Sequence, residues 1–484
     1  MGGLTRQAAI VTISRLINQG LMIVSPVILV RLLSVDDFGK YREFLLYATV
    51  VGNFAAFSLP NSLLYYVGLQ PRGVWGYVNR IALSLAVSST IAVVVFAAID
   101  TLLPKPLLGD ALLPCVLYVL FCTNLDFWEF LWLAQRKSML VVAYTASRLI
   151  VRIVLVTVVA FLTRDVATII GSLVVLEGIR LLGALYLWRR LIRGQEVVPL
   201  EASWRDQLWF CIPSGIGVCV STLNSSLGGM FVGQSIGEAA LAQFVIGGYV
   251  LMVLSPLRNS VSDVLLPQMA ALAKDGSAAW LAVWQRSVVL FAIILFPVAV
   301  ITFRYAEPLV VTAFSEKYRD AASILQWHCA MILISCFDVA LALRAIGKTQ
   351  PLLAAIAVCL VVNLGLLPFL LPRYGTDGAA AALLASNSAG TVYLVWHIAR
   401  QLKISVLEFI PSRRLCQVIL ASALAFGVIT PSFWTDWLGV FGAVPAALLY
   451  LLVFFGILHF MRVPELGDLV SRVGDLVGRQ TARA

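Results

Sequence analysis

Apolar runs of roughly 18–25 residues recur along the whole chain, separated by short stretches rich in charge, proline or glycine. A helix needs about 20 residues, at about 1.5 Å each, to cross the hydrocarbon core of a bilayer. Runs of that length predict transmembrane helices, because barrel strands would be about half as long and would alternate apolar with polar residues. Composition removes the soluble alternative. Of 484 residues, 61% are hydrophobic and 12% charged, and a mean hydropathy of +0.94 leaves too little polar surface for a globular domain of this size.

Cutting the chain at its charged and Pro/Gly-rich breaks predicts an all-α membrane protein of about fourteen spans. The first is 8–30 and the last 438–460. Lys and Arg are more than twice as numerous in the segments that lie inside when the N-terminus is inside, for example Arg189, Arg190, Arg193 and Arg205, as in the outer loops. That asymmetry predicts both termini in the cytoplasm and an even number of spans. It also accounts for the net charge of +10 without nucleic acid. Arg15 and Asn18 interrupt the first apolar run, so it is expected to be a span and not a cleaved signal.

The longest charged loop divides the chain into an N-terminal six-helix lobe, 1–190, an inter-lobe loop, 191–206, and a C-terminal six-helix lobe, 207–400. Two extra helices over 401–462 and a cytoplasmic amphipathic tail over 463–484 complete the chain. A faint repeat, Asp37 to Tyr41 against Ala240 to Phe244, suggests parallel lobes around a central lumen. The eight cysteines are scattered through apolar segments without a metal-like spacing and are expected to act as small core residues. No glycine-rich phosphate loop, metal cluster or catalytic triad pattern is present, so neither an enzyme nor a cofactor is expected.

The informative residues are the charges inside spans. In 121–152, Asp126 and Glu129 lie near the end of one span and Arg148 and Arg152 inside the next. A helix starting near Ser138 carries Arg148 about 15 Å deep, close to the bilayer midplane. An ionisable side chain there costs several kcal/mol unless it faces protein or water. Arg148 and Arg152 share one helical face, extended by Tyr144 and Thr145, and are expected to line a hydrated lumen. Arg15, Asn18 and Ser25 form a polar stripe in the first span, as lumen lining or as an interhelical hydrogen-bond network. Glu129, Asp126 and Asp338 are candidates for ion coupling or charge balance, Glu129 either neutralising an arginine of the next span or coupling a proton. Glu177 and Arg180 are expected to pair with each other. Asp338 and His328 are the main buried ionisable groups of the second half, His328 as a hydrogen-bonded packing residue.

Residues 31–66, RLLSVDDFGKYREFLLYATVVGNFAAFSLPNSLLYY, carry Arg31-Leu-Leu-Ser34, Asp37-Phe-Gly39 with Tyr41, and Leu59-Pro60. This stretch resembles the Wzx-type polysaccharide and O-antigen flippases of the multidrug/oligosaccharidyl-lipid/polysaccharide exporter superfamily. Ser58 stands where that family is expected to have glycine. Ser34 and Asp37 also form a helix-capping pattern, Gly39 suits close packing, and Tyr41 suits the interface. The resemblance implies alternating-access translocation of undecaprenyl-diphosphate-linked oligosaccharide from the cytoplasmic to the periplasmic leaflet of the bacterial inner membrane. It further implies membrane lipids and a polysaccharide polymerase as partners, and a monomer. The excess of arginine in the first half agrees, since guanidinium forks suit a diphosphate. A cation-coupled drug exporter of the same fold is the alternative, and it would need free carboxylates in the lumen. A polymerase or ligase would need larger outer loops than the chain has.

Overall fold

The structure is a computed structural model that describes residues 24–192, 198–274, 279–430 and 442–467. Among them it is helical throughout, with no strand. The helices are α1 (Val35–Ala56), α2 (Ser62–Leu69), α3 (Val74–Leu102), α4 (Leu112–Thr123), α5 (Phe127–Ala134), α6 (Ser138–Thr163), α7 (Val166–Ile192), α8 (Trp204–Ser235) and α9 (Glu238–Lys274). They continue as α10 (Ala279–Arg304), α11 (Ala306–Phe314), α12 (Ala321–Ile334), α13 (Val339–Ala345), α14 (Gln350–Leu402), α15 (Val406–Phe409), α16 (Ser412–Ile429) and α17 (Ala443–Phe460).

Among the described residues ten helical stretches are long and apolar enough to cross a membrane, and a bent pair makes eleven. Fourteen is therefore not the number that the described residues give. Most of the expected first span lies outside them. The eleventh and twelfth expected spans form the single run α14, interrupted at Gly375, whose backbone is left-handed (φ 58°). There a side chain on Gly378 would come within 2.2 Å of the Leu370 carbonyl oxygen. The expected eighth span is apolar only over Glu238–Leu251, since Arg258, Asn259 and Asp263 follow.

The chain divides into two compact units, Met1–Val245 with Asn363–Ala379, and Ile246–Val362 with Ala380–Ala484. This division groups α8 with the first unit, whereas a six-plus-six repeat assigns 207–232 to the second lobe.

In the first unit, α1 packs against α3, α4 and α8, and α7 packs against α4 and α6. Ser34 starts α1 as the sequence pattern suggests. Its hydroxyl accepts from the Asp37 N–H at 3.1 Å and donates to the Asp37 carboxylate at 2.7 Å, satisfying an amide that the helix start leaves free. Gly39 sits where any side chain would collide with the Glu238 carbonyl oxygen, 2.0 Å from an added Cβ.

α1 ends at Phe57 and Ser58, both left-handed (φ 42° and 55°), and the chain turns by 47° into the helical segment Leu59–Leu69. The bend thus forms with serine in the place expected for glycine. Neighbours take up the carbonyls that the break leaves free: Ser88 Oγ donates to Ala55 O at 2.6 Å, and the Cys211 thiol lies 3.9 Å from Leu59 O. Within a membrane such substitutes are needed because lipid offers no donor.

The loop before α8 is tied to the same unit. Gln70 Nε2 donates to Pro199 O at 2.9 Å and Arg80 to Ala202 O at 2.7 Å.

In the second unit α10 packs against α12 and α16, and α16 against α17. Trp284 stacks on Phe409 with ring centroids 4.2 Å apart. Ser422 and Tyr450 hydrogen-bond at 2.7 Å inside the core. The expected amphipathic tail helix over 464–478 falls largely outside the described residues. Of its described part, Glu465 is buried and paired with Arg414, and Leu466 is buried in the hydrophobic core of the second unit.

Candidate functional site: a guanidinium cluster in the first unit

The site begins with a broken span. Helices α4 and α5 make up the span Gly109–Ala134, interrupted by a turn at Asn124, Leu125 and Asp126. Asn124 holds the turn by donating to Ser89 Oγ at 3.1 Å and to Leu120 O at 2.8 Å. The break brings Asp126 to the face of α6. That helix starts at Ser138, so Arg148 stands about 15 Å along it.

Three arginines collect there. Arg148 faces Asp126 and Glu177, with Cys122 and Tyr118 beside it. Arg180 on α7 is ion-paired with Glu177, which is 2% exposed. Its other guanidinium nitrogen donates to the Tyr144 hydroxyl at 2.7 Å, and the group lies over the Tyr144 ring at 5.5 Å. Arg152 is surrounded differently. It sits among the phenols of Tyr118 and Tyr41 and the thiol of Cys122, and Tyr41 bonds to it. Arg148 and Arg152 are both half-buried.

The structure brings Asp126 to Arg148 and pairs Glu177 with Arg180, while Arg152 stands among Tyr118, Tyr41 and Cys122. Glu129 is half-buried and faces Asp126; the carboxylates facing Arg148 are Asp126 and Glu177. Asp126, Glu129 and Glu177 equal Arg148, Arg152 and Arg180 in number, but the neighbours of Arg152 are phenols and a thiol, which leaves its guanidinium the one best placed to take an anion through charge-assisted forks.

A family profile described as "Polysaccharide biosynthesis protein" matches residues 28–323, more than half of the chain, and spans both the 31–66 stretch and the guanidinium cluster. The chain belongs to the polysaccharide biosynthesis protein family. A second profile, described as "Lipid II flippase MurJ", matches residues 210–447. Among solved structures, this polysaccharide biosynthesis protein is similar to the lipid II flippase MurJ in an inward closed conformation. The two are 16% identical with a TM-score of 0.69, and the match covers 96% of this chain and 100% of that one. It is also similar to an inward-facing multidrug resistance MATE family transporter of the MOP superfamily: 16% identity, TM-score 0.54, 81% and 98% coverage. The outward-facing conformation of a MATE family transporter of that superfamily gives 14% identity, TM-score 0.56, and 81% and 95% coverage. These likenesses establish a shared fold, in line with the superfamily resemblance of residues 31–66. No curated protein matches.

The remaining sequence-derived candidates of this polysaccharide biosynthesis protein stand elsewhere. Arg15 and Asn18 lie outside the described residues. Asp338 is in the second unit at the start of α13. Its carboxylate accepts from the Leu341 N–H at 3.0 Å and from Ser262 Oγ at 2.6 Å, while its carbonyl accepts from Trp284 Nε1 at 2.9 Å. These bonds make Asp338 a helix cap that ties three helices together. His328, 4% exposed, has Nδ1 2.8 Å from Ile324 O, the hydrogen-bonded packing role expected of it.

Sequence reasoning missed Tyr118, Cys122 and the second role of Tyr41. Tyr118 and Cys122 are four residues apart, a spacing that places both on one face of α4. Tyr41 passed for an interfacial anchor but is 4% exposed and faces Arg152.

Proposed function

We propose that this protein is a flippase. It moves an oligosaccharide linked through a diphosphate to a polyprenyl lipid from the cytoplasmic to the periplasmic leaflet of the inner membrane, for O-antigen or exopolysaccharide synthesis. The observation that carries this reading is Arg152, a guanidinium deep in a span whose neighbours are phenols. Holding an arginine in a membrane costs several kcal/mol, and an anionic ligand offsets that cost when it arrives. Arg148, partly balanced by Asp126 and Glu177, is the second contact for the diphosphate.

The apolar part of the substrate also has a place to lie. A groove of about 890 Å³ runs along α1, α3 and α8, lined by residues such as Phe54, Ile91, Val95 and Leu208. Two negative charges moving outward gain about 4–5 kcal/mol per 100 mV of inside-negative potential, at about 2.3 per charge. The potential thus assists transport without ATP. The drug-exporter alternative needs Asp126, Glu129 and Asp338 free in the lumen; Asp126 faces Arg148 and Asp338 is held by Ser262 and Leu341, which leaves Glu129, beside Asp126, as the one of the three without such a partner among the described residues.

The test is Arg148→Ala and Arg152→Ala, singly and together, in cells whose surface polysaccharide depends on this protein. Loss of the polysaccharide with the protein inserted at its normal level is the expected result. A normal polysaccharide in the double variant would exclude the diphosphate-binding role.

A further inference from the structure

Helix α3 turns two faces to two different grooves of the first unit. One face carries Val87, Ile91 and Val95 along the groove described above. The other carries Asn79, Ala82, Ala86 and Thr90 along a second groove of about 820 Å³, walled also by α7 and by the break between α4 and α5. Apart from Arg189, the described lining of this second groove holds no charged side chain.

Its mouth is basic. Arg189 and Arg190 are exposed in the last turn of α7, at the end of the unit that the distribution of Lys and Arg assigns to the cytoplasm. Beside them Trp188 Nε1 donates to Asn79 Oδ1 at 3.2 Å, joining α7 to α3. From Trp188 an aromatic wall runs inward. The Phe127 ring lies 5.9 Å from that of Trp188, and Trp128 stacks on Phe127 at 5.1 Å.

Trp128 lines the groove, is 4% exposed, and its indole N–H has no acceptor among the described residues. The other polar groups of the wall are engaged: Asn124 donates to Ser89 Oγ and Leu120 O, and Thr90 donates to Ala86 O at 2.7 Å. A buried donor without a partner forfeits a hydrogen bond, and hydrocarbon offers no acceptor to replace it. The groove therefore suits a molecule with an apolar chain, an anionic head for the mouth and an uncharged acceptor between them. An anionic glycerophospholipid has these parts in that order, as acyl chain, phosphodiester and ester carbonyl, and juxtamembrane arginines attract such lipids. A polyprenyl carrier has no ester carbonyl and would leave Trp128 unpaired.

We propose that the groove between α3, α7 and the α4–α5 break is a binding site for an anionic phospholipid of the cytoplasmic leaflet. Arg189 and Arg190 take its phosphate, the Trp128 N–H an ester carbonyl, and the small side chains of Ala82, Ala86 and Ala184 leave room for an acyl chain. The binding does not depend on the transport reading above.

The experiment uses the purified full chain in detergent, titrated with phosphatidylglycerol or with phosphatidylcholine of the same acyl chains. Native mass spectrometry reads how many molecules of each are retained and how tightly. The native chain is expected to hold its first phosphatidylglycerol about tenfold more tightly than phosphatidylcholine, the worth of a charged hydrogen bond. Arg189→Ala with Arg190→Ala should abolish that preference. Trp128→Phe, which keeps a ring and loses the N–H, should weaken both lipids several-fold. Ala86→Trp, at an exposed position, should fill the groove and remove the tight site while leaving the core intact. Equal affinity of the native chain for the two lipids, or phosphatidylglycerol held as tightly by Ala86→Trp as by the native chain, overturns the site. Displacement of the bound phosphatidylglycerol by equimolar polyprenyl phosphate overturns it as well, and gives the groove to a carrier lipid. If Trp128→Phe does not fold, Ala86→Trp decides.

Discussion

At the scale of single residues, the decisive quantity is the cost of a charge in a membrane and what offsets it. Glu177 and Arg180 offset each other, with Tyr144 completing the guanidinium's bonds. Removing one member leaves the other buried without its counter-charge, which typically costs about 3–5 kcal/mol. Glu177→Ala is thus expected to lower the unfolding midpoint in detergent strongly. Adding Arg180→Met should restore most of the loss, since an apolar pair of similar volume is often neutral. A double variant as unstable as the single one would show that the pair is not the unit. Arg152 should behave in the opposite way. Arg152→Ala removes a costly buried charge but also the partner of the buried Tyr41 hydroxyl, so it is expected to change stability much less than Glu177→Ala does, while lowering affinity for a diphosphate by about 1.5–3 kcal/mol, the worth of a charged hydrogen bond. Arg152→Lys should not rescue binding, because a point charge lacks the guanidinium fork. The positions of Arg148 and Arg152 along α6 were legible in the sequence from the helix start at Ser138 alone. Their neighbours were not, because which face of α4 meets α6 depends on the break at 124–126, and no spacing rule marks that break.

At the scale of elements, close approaches and breaks shape the first unit. Gly39 lets α1 pass the Glu238 carbonyl. Gly39→Ala is expected to destabilise the protein by about 1–3 kcal/mol through overpacking, read as a lower thermal midpoint, whereas Gly68→Ala, with nothing within 4 Å of its Cβ position, should change little. Equal effects would show that the approach of α1 to Glu238 is not tight in solution. Ser34 as a cap and Gly39 as a packing residue were both legible in the sequence, because each is a local rule. The bend at Phe57 and Ser58 was legible only in part. Serine lacks the conformational freedom that signals a left-handed turn, and what holds the bend open, Gly215 opposite Phe57 and Ser88 on Ala55, comes from distant segments.

At the scale of the whole molecule, hydropathy and the 31–66 stretch were enough to point to an all-helical membrane protein of this superfamily. The number of spans was harder to read, since a run such as 350–402 contains two expected spans without a polar loop. The proposed transport rests on the guanidinium cluster of the first unit as the site for a diphosphate. Translocation in proteoliposomes tests this most directly. A fluorescent polyprenyl-diphosphate oligosaccharide is placed in one leaflet, and a membrane-impermeant quencher follows its arrival in the other. The native chain is expected to move the lipid faster than protein-free vesicles, and Arg148→Ala/Arg152→Ala, equally folded and reconstituted, to fall to the protein-free rate. Translocation by the double variant at the native rate would contradict the assignment of the guanidinium cluster as the diphosphate site.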